Sequence, residues 1–234
     1  MIPWESVMAK VWNNRIFSHI KEQVDHASHV LAEERGACPD AAECGMQERF
    51  SNKTAIAPTA SISIICGGAS PGIEPIAGNS FTHKTLSGSF NVRNRHLAKL
   101  LDEKGRNDDD TWSSIVTSGG SVMHLDFLTD EEKAVFKTAF EIDQRWLIEF
   151  AGDRAPLIDQ AQSLNVFLPA DIHKRDLHQI HYQAWKRGVK SLYYCRSLSI
   201  QRAERSDSET PTDQDAAKTV ALSTIDYEEC ASCQ

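Results

Sequence analysis

Cysteine, tyrosine and hydroxyl side chains stand at spacings that suit chemistry in three places. Cys230-Ala231-Ser232-Cys233 puts two thiols at the separation of a dithiol–disulfide couple. A structural zinc site would need a second such pair, and the other cysteines, Cys38, Cys44, Cys66 and Cys195, lie in unrelated settings, so a redox role fits better. Thr54-Ala55-Ile56-Ala57-Pro58-Thr59-Ala60-Ser61-Ile62-Ser63 is an apolar run that ends at a proline and is followed by small hydroxyl residues. Where such a run opens a helix, the unpaired first-turn N–H groups and the helix dipole favour an anion such as phosphate. The same residues also suit a plain turn or an N-cap, and Ser61-Ile62-Ser63-Ile64-Ile65 alternates like a strand. Tyr193 and Tyr194 close the strand candidate that begins at Val189, where a tyrosine pair ordinarily packs in a core. His26 and His29 stand at i and i+3 beside Asp25 without an evident third metal ligand, and His178 and His181 have no partner carboxylate, so no metal site is expected.

The elements that must position these groups read as alternating helices and strands, an α/β arrangement. Residues ~4–34 form an amphipathic helix with Trp4, Val7, Met8, Val11 and Trp12 on its apolar face, continued by Ile16, Ile20, Val24 and Leu31 and closed by Gly36 and Pro39. Residues ~35–53 are turn-rich, and Phe81–Leu86 is strand-like. Residues ~91–111 are polar and end in Arg106-Asn107-Asp108-Asp109-Asp110, which reads as an exposed connection. Thr129 to Glu132 is a capping box before a helix that runs to ~151. A buried strand over 162–168 ends at Pro169, a helix spans ~174–187 with Gly188 as its stop, and Val189–Tyr194 is the last strand. Beyond about residue 200 few large apolar residues remain, so that segment reads as a disordered tether for its two thiols.

Composition narrows the function. The chain has 234 residues, 41% hydrophobic and 25% charged, with a formal net charge of −8. That charge argues against general binding to nucleic acid or to an anionic membrane surface. No apolar run approaches the ~20 residues of a bilayer span, and Met1-Ile2-Pro3-Trp4-Glu5 lacks the features of a signal peptide. A cytoplasmic protein with free thiols is expected. The sequence holds no internal repeat and no glycine-rich nucleotide fingerprint.

Three features in this order resemble one family. They are Pro58-Thr59-Ala60-Ser61-Ile62 with Gly72-Ile73-Glu74-Pro75 downstream, Val189-Lys190-Ser191-Leu192-Tyr193-Tyr194, and Cys230-Ala231-Ser232-Cys233. Leu86-Ser87-Gly88-Ser89-Phe90, Ile158-Asp159-Gln160-Ala161-Gln162-Ser163-Leu164-Asn165 and Ala184-Trp185-Lys186-Arg187-Gly188 add to the pattern. The family is the large, catalytic subunit of class I ribonucleotide reductase, of which this chain resembles the C-terminal part.

The resemblance implies a ten-stranded α/β barrel of two antiparallel halves, of which residues 1–199 supply the second half and 200–234 a flexible redox tail. It implies that Pro58, Thr59, Ala60, Ser61 and Ile62 hold the diphosphate of a ribonucleoside diphosphate, which decides the opening ambiguity for a loop entering a helix. It implies that Tyr193 and Tyr194 relay a radical from a dimetal-tyrosyl small subunit. Tyrosine loses an electron and a proton together and so leaves no buried charge. Because successive strand residues face opposite sides, rings that meet require an irregular strand end. Cys230 and Cys233 match the pair that reduces the active-site disulfide and is then reduced by thioredoxin or glutaredoxin. No cofactor is expected on this chain itself.

No segment resembles the family's finger loop with its radical cysteine, and the nucleotide-binding regulatory region has no counterpart either. The expectation is one product of a split gene, completed by an N-terminal large-subunit chain. A fragment of the cobalamin-dependent reductase is the enzyme alternative, disfavoured by the tyrosine pair. A non-catalytic remnant or a module that binds the small subunit is the alternative of another class.

Overall fold

The computed structural model describes residues 1–67, 69–85 and 88–198, with the backbone alone at Ser61, Ile64, 82–85, 88–91 and Leu198. The expected tail and its Cys230 and Cys233 lie outside the described residues.

Helix α1 (Val7–Arg35) starts where the Ser6 hydroxyl accepts the Ala9 N–H at 3.1 Å, and it stops at Gly36, whose φ of 83° only glycine adopts easily. Its extent matches the apolar periodicity, but the face it buries does not. Val7 is 70% exposed, and Met8, Val11, Trp12, Ile16 and Ile20 are exposed as well, while Asn13, Ser28 and Ala32 are buried. The helix is attached through polar groups: Lys10 pairs with Glu149 and Asp153, and Asn13 Nδ2 donates to the Phe150 carbonyl at 3.2 Å. The apolar row on α1 is therefore not the row that meets the core of this chain. After α1 come the short helices α2 (Pro39–Glu43) and α3 (Ala60–Ile65).

Residues 97–136 build one core, preceded by a strand hairpin. Strands β1 (Ser80–Thr85) and β2 (Gly88–Arg93) form an antiparallel hairpin, followed by α4 (Arg95–Glu103) and α5 (Asp109–Thr117). The charge run Arg106–Asp110 is exposed and connects α4 to α5, entering the first turn of α5 at Asp109. Leu97, Leu100 and Leu101 of α4 pack with Trp112 and Ile115 of α5 and with Val122, Leu125, Leu128 and Phe136. The aspartate run is a helix start, because Asp108 accepts the Thr111 N–H at 2.7 Å and Asp109 and Asp110 occupy the first turn.

The capping box at Thr129 and Glu132 opens α6 (Asp130–Val135), as its sequence requires. The helix expected to continue to ~151 is instead two, since a fresh N-cap, Asp143, starts α7 (Gln144–Arg154). The Gln144 side chain fixes the break. Its Nε2 donates to the carbonyls of Ala139 (2.9 Å) and Ile142 (2.7 Å), and its Oε1 accepts the Phe167 N–H at 2.8 Å. A buried amide that satisfies three backbone groups replaces the lost helical bonds.

A second core unites α7 with a parallel strand pair. Strand β3 (Val166–Pro169) is followed by α8 (Lys174–Lys186) and then by β4 (Cys195–Leu198), which pairs with β3 in parallel from Val166↔Cys195 to Pro169↔Leu198. Ile148, Ala151, Leu164, Val166, Leu168, Ile180 and Ala184 fill the layer between helices and strands. The last strand thus begins one residue after the tyrosine pair rather than at Val189. The apolar run before Pro58 makes one parallel bridge, Ile56↔Gln162. No helix among the described residues is long and apolar enough to cross a membrane.

Candidate functional site

Two of the three motifs stand on one framework. Thr59 precedes α3, its carbonyl accepting the Ser63 N–H at 2.8 Å. The motif is a loop running into a helix and not an alternating strand. Thr59's own N–H donates to the Pro71 carbonyl at 3.0 Å, so it braces the loop and is not available to a ligand. The amides of residues 60–62 are those without an intrahelical acceptor. Pro58, Ala60 and Ile62 are exposed, so this chain alone does not supply the dry surroundings in which such dipoles act most strongly. The Ser61 side chain lies outside the described residues. At the other end of α3, Arg95 Nη1 donates to the Gly67 carbonyl at 3.2 Å, a cation at a helix C-terminus.

The root of this loop and the approach to the tyrosines share one turn. The Asp159 carboxylate accepts the N–H groups of Lys53 (2.7 Å) and Thr54 (3.2 Å), and the Thr54 hydroxyl accepts the Asp159 N–H at 3.1 Å. Lys190 Nζ donates to the carbonyls of Ile158 (3.2 Å), Asp159 and Gln160 (3.3 Å). An ammonium has three donors, and here all three are used to hold one turn.

Tyr193 and Tyr194 lie just before β4, outside its regular pairing. Their ring centroids are 4.2 Å apart with the planes at 55°, tilted rather than parallel. The meeting of neighbouring rings thus occurs at an irregular strand end, the condition their adjacency demands. Tyr193 N–H donates to the Leu164 carbonyl (2.9 Å), Tyr194 N–H to Asn165 Oδ1 (3.3 Å), and Val166 N–H to the Tyr194 carbonyl (2.9 Å). The Arg196 guanidinium lies 5.6 Å from the Tyr194 ring centre. Cys195 follows directly and is an exposed free thiol, as is Cys66.

Residues given no role of their own in the sequence complete the framework. Asn165 also donates through Nδ2 to Glu74, a buried carboxylate in the Gly72-Ile73-Glu74-Pro75 motif. Arg154 is 2% exposed, held by Asn13 Oδ1 (2.9 Å) and Gln162 Oε1 (3.0 Å) with the Phe17 ring centre at 5.4 Å. Burial lowers its pKa to about 10. A lone acid between isoleucine and proline, or an arginine at a helix end, carries no sequence signal of a partner far along the chain. Among the described residues no group of three or more His, Cys, Asp or Glu is arranged to hold a metal; His29 Nδ1 instead contacts the Asp25 carbonyl at 2.7 Å. An open cleft between the start of α7 and α8, lined by Asp143, Arg145, Asp176 and Lys186 among others, includes neither the Pro58 loop nor Tyr193 or Tyr194.

The family described as the ribonucleotide reductase barrel domain matches residues 40–195. The ribonucleoside-diphosphate reductase large subunit of Invertebrate iridescent virus 6 is 46% identical over 208 residues, covering 87% of this chain and 22% of that protein. Its counterpart from Invertebrate iridescent virus 3 is 42% identical over 215 residues, covering 91% of this chain and 34% of that protein. Among solved structures, the Actinobacillus ureae class Id ribonucleotide reductase alpha subunit superposes with a TM-score of 0.77 at 39% identity, over 85% of this chain and 36% of that one. The chain thus spans between about a fifth and a third of the length of the two viral relatives.

Proposed function

The chain belongs to the ribonucleotide reductase barrel-domain family as a C-terminal part of the class I large subunit, and on that premise we propose that it takes part in ribonucleoside-diphosphate reduction in the cytoplasm. Residues 1–199 supply the C-terminal half of the barrel domain, and 200–234 the redox tail. The loop of Pro58, Thr59, Ala60, Ser61 and Ile62 takes the substrate's diphosphate, through the amides of residues 60–62 and the hydroxyls of Thr59 and Ser61. Tyr193 and Tyr194 pass the radical inward from a small subunit that generates it. The reaction replaces the ribose 2′-hydroxyl with hydrogen, releases water and leaves two thiols as a disulfide. Cys230 and Cys233 reduce that disulfide by exchange and are restored by thioredoxin or glutaredoxin. The radical cysteine comes from the preceding part of the large subunit, supplied by a partner chain.

The observation that carries the reading is the tyrosine pair. Two neighbouring phenols stand with ring centres 4.2 Å apart outside the regular strand, a separation that suits short-range transfer. The Pro58 loop and the tyrosine segment are also braced on the same turn through Asp159 and Lys190. The test is reconstitution: the purified chain is mixed with a chain carrying the missing half and with the small subunit, and deoxynucleotide formation is measured. Product that depends on all three components is expected. No product, with every component folded, defeats the proposal.

A further inference from the structure

Glu74 is a buried carboxylate to which nothing above gives a task. It is 5% exposed, and its Oε2 has no hydrogen-bond partner among the described residues. The side chain folds back over Gly72, where an added Cβ would stand 2.6 Å from Oε1 and 2.8 Å from Cδ. Gly72 is therefore a glycine because the carboxylate needs the space above its Cα. The Ser70 hydroxyl donates to the Glu74 carbonyl at 2.7 Å, and Pro71 in between receives the Thr59 N–H. Glu74 thus grows from the same piece of chain that braces the Pro58 loop.

Its other contact leads to the tyrosines. A carboxylate only accepts, so the Asn165 amide must turn Nδ2 towards Glu74, which leaves Oδ1 facing the Tyr194 N–H. Tyr193 is held differently, by the backbone carbonyl of Leu164. Neighbouring rings can meet only if the chain leaves regular strand geometry between them, and at that residue a side-chain oxygen takes the place of a backbone acceptor.

We infer that Glu74 and Asn165 are positioning residues: through the orientation of one amide they fix the backbone of Tyr194, and with it the meeting of the two rings. This rests on the reading that Tyr193 and Tyr194 carry the radical, but its geometric part is measurable without any turnover. Amide hydrogen exchange on the full chain is the test. Asn165→Ala and Glu74→Ala are each expected to speed exchange at Tyr194 about fivefold, the effect of one lost hydrogen bond, while Tyr193 keeps its rate. Gly72→Ala keeps both side chains and only displaces the carboxylate, and it is expected to match Glu74→Ala. An unchanged Tyr194 amide in any of the three variants overturns the inference, as does a variant that speeds Tyr193 equally. In the completed reductase, Glu74→Ala and Asn165→Ala lower kcat about tenfold with KM for the diphosphate unchanged; a raised KM with normal kcat overturns the role in radical passage. A Tyr194→Phe enzyme that turns over normally defeats the reading of the tyrosines instead, and the exchange rates still decide the positioning.

Discussion

Substituting Asn13 by alanine tests how α1 is held. Asn13 gives the buried Arg154 guanidinium an acceptor at 2.9 Å and satisfies the Phe150 carbonyl at 3.2 Å. Alanine removes both bonds in a place that water does not reach easily, since Arg154 is 2% exposed and Asn13 9%. Leaving a buried charged donor short of an acceptor costs about 2 kcal/mol, and an unpaired buried carbonyl about 1 more. The expected loss is about 3 kcal/mol, read by urea unfolding, or a fall in Tm of about 9 °C for a chain of this size. Arg154→Met should cost less. The guanidinium is already disfavoured, its pKa lowered to about 10 by burial, a depression equivalent to about 3 kcal/mol. Removing the charge relieves that penalty, as when a buried ion is replaced by a packed apolar side chain. The double variant Asn13→Leu with Arg154→Met should then lose less than Asn13→Ala alone. A cost below about 1 kcal/mol for Asn13→Ala, or a double variant worse than the sum of its parts, refutes the reasoning.

Gly120→Ala is expected to destabilise by about 3 kcal/mol or more on urea unfolding, because φ is +86° and the new Cβ would lie 2.5 Å from the Gly78 Cα, which is backbone and has nowhere to go. Stability should fall with acid through the Asp25–Lys53–Glu48 cluster. The Lys53 ammonium lowers the Asp25 pKa, and the Ser28 hydroxyl and Lys53 lower that of Glu48. Both folded values lie below the unfolded ones, so this contribution is whole above about pH 4.5 and is lost as pH falls through the folded values. Urea midpoints measured at about pH 6 and pH 3 should differ less in Lys53→Met than in the parent chain. In the reconstituted reductase, Cys230→Ser or Cys233→Ser should abolish turnover driven by thioredoxin while leaving a single turnover of the pre-reduced enzyme intact; loss of that first turnover would argue against a shuttle.

What could be read in the sequence was what neighbours decide. The capping box at Thr129, the stop at Gly36 and the helix over Lys174–Lys186 depend on residues within a few positions of one another, and they stand where the pattern puts them. The inside of α1 could not be read that way, since periodicity identifies an apolar face without saying what covers it. Asn13 and Ser28 turn inward because Arg154, Phe150 and the backbone of Arg49 and Phe50 need partners there. The leucines of α4 were spaced for a helix, but the charges around them masked the pattern, and Asp108 was read as charge when it was a cap. At the site, the tyrosine pair was visible because its members are adjacent in the chain. The bond between Glu74 and Asn165 was not, because its partners are 91 positions apart and meet only once β3 and the Gly72 turn are in place.

The outward row of α1 has a consequence for handling the protein. Val7, Met8, Val11, Trp12, Ile16 and Ile20 present a strip of hydrocarbon to water along half a helix, and such strips attract one another whatever the fold beneath them is doing. Concentration then becomes a variable as important as temperature. A dilute preparation and a concentrated one will differ in light scattering before they differ in circular dichroism, and the limit on working with this chain is colloidal before it is conformational.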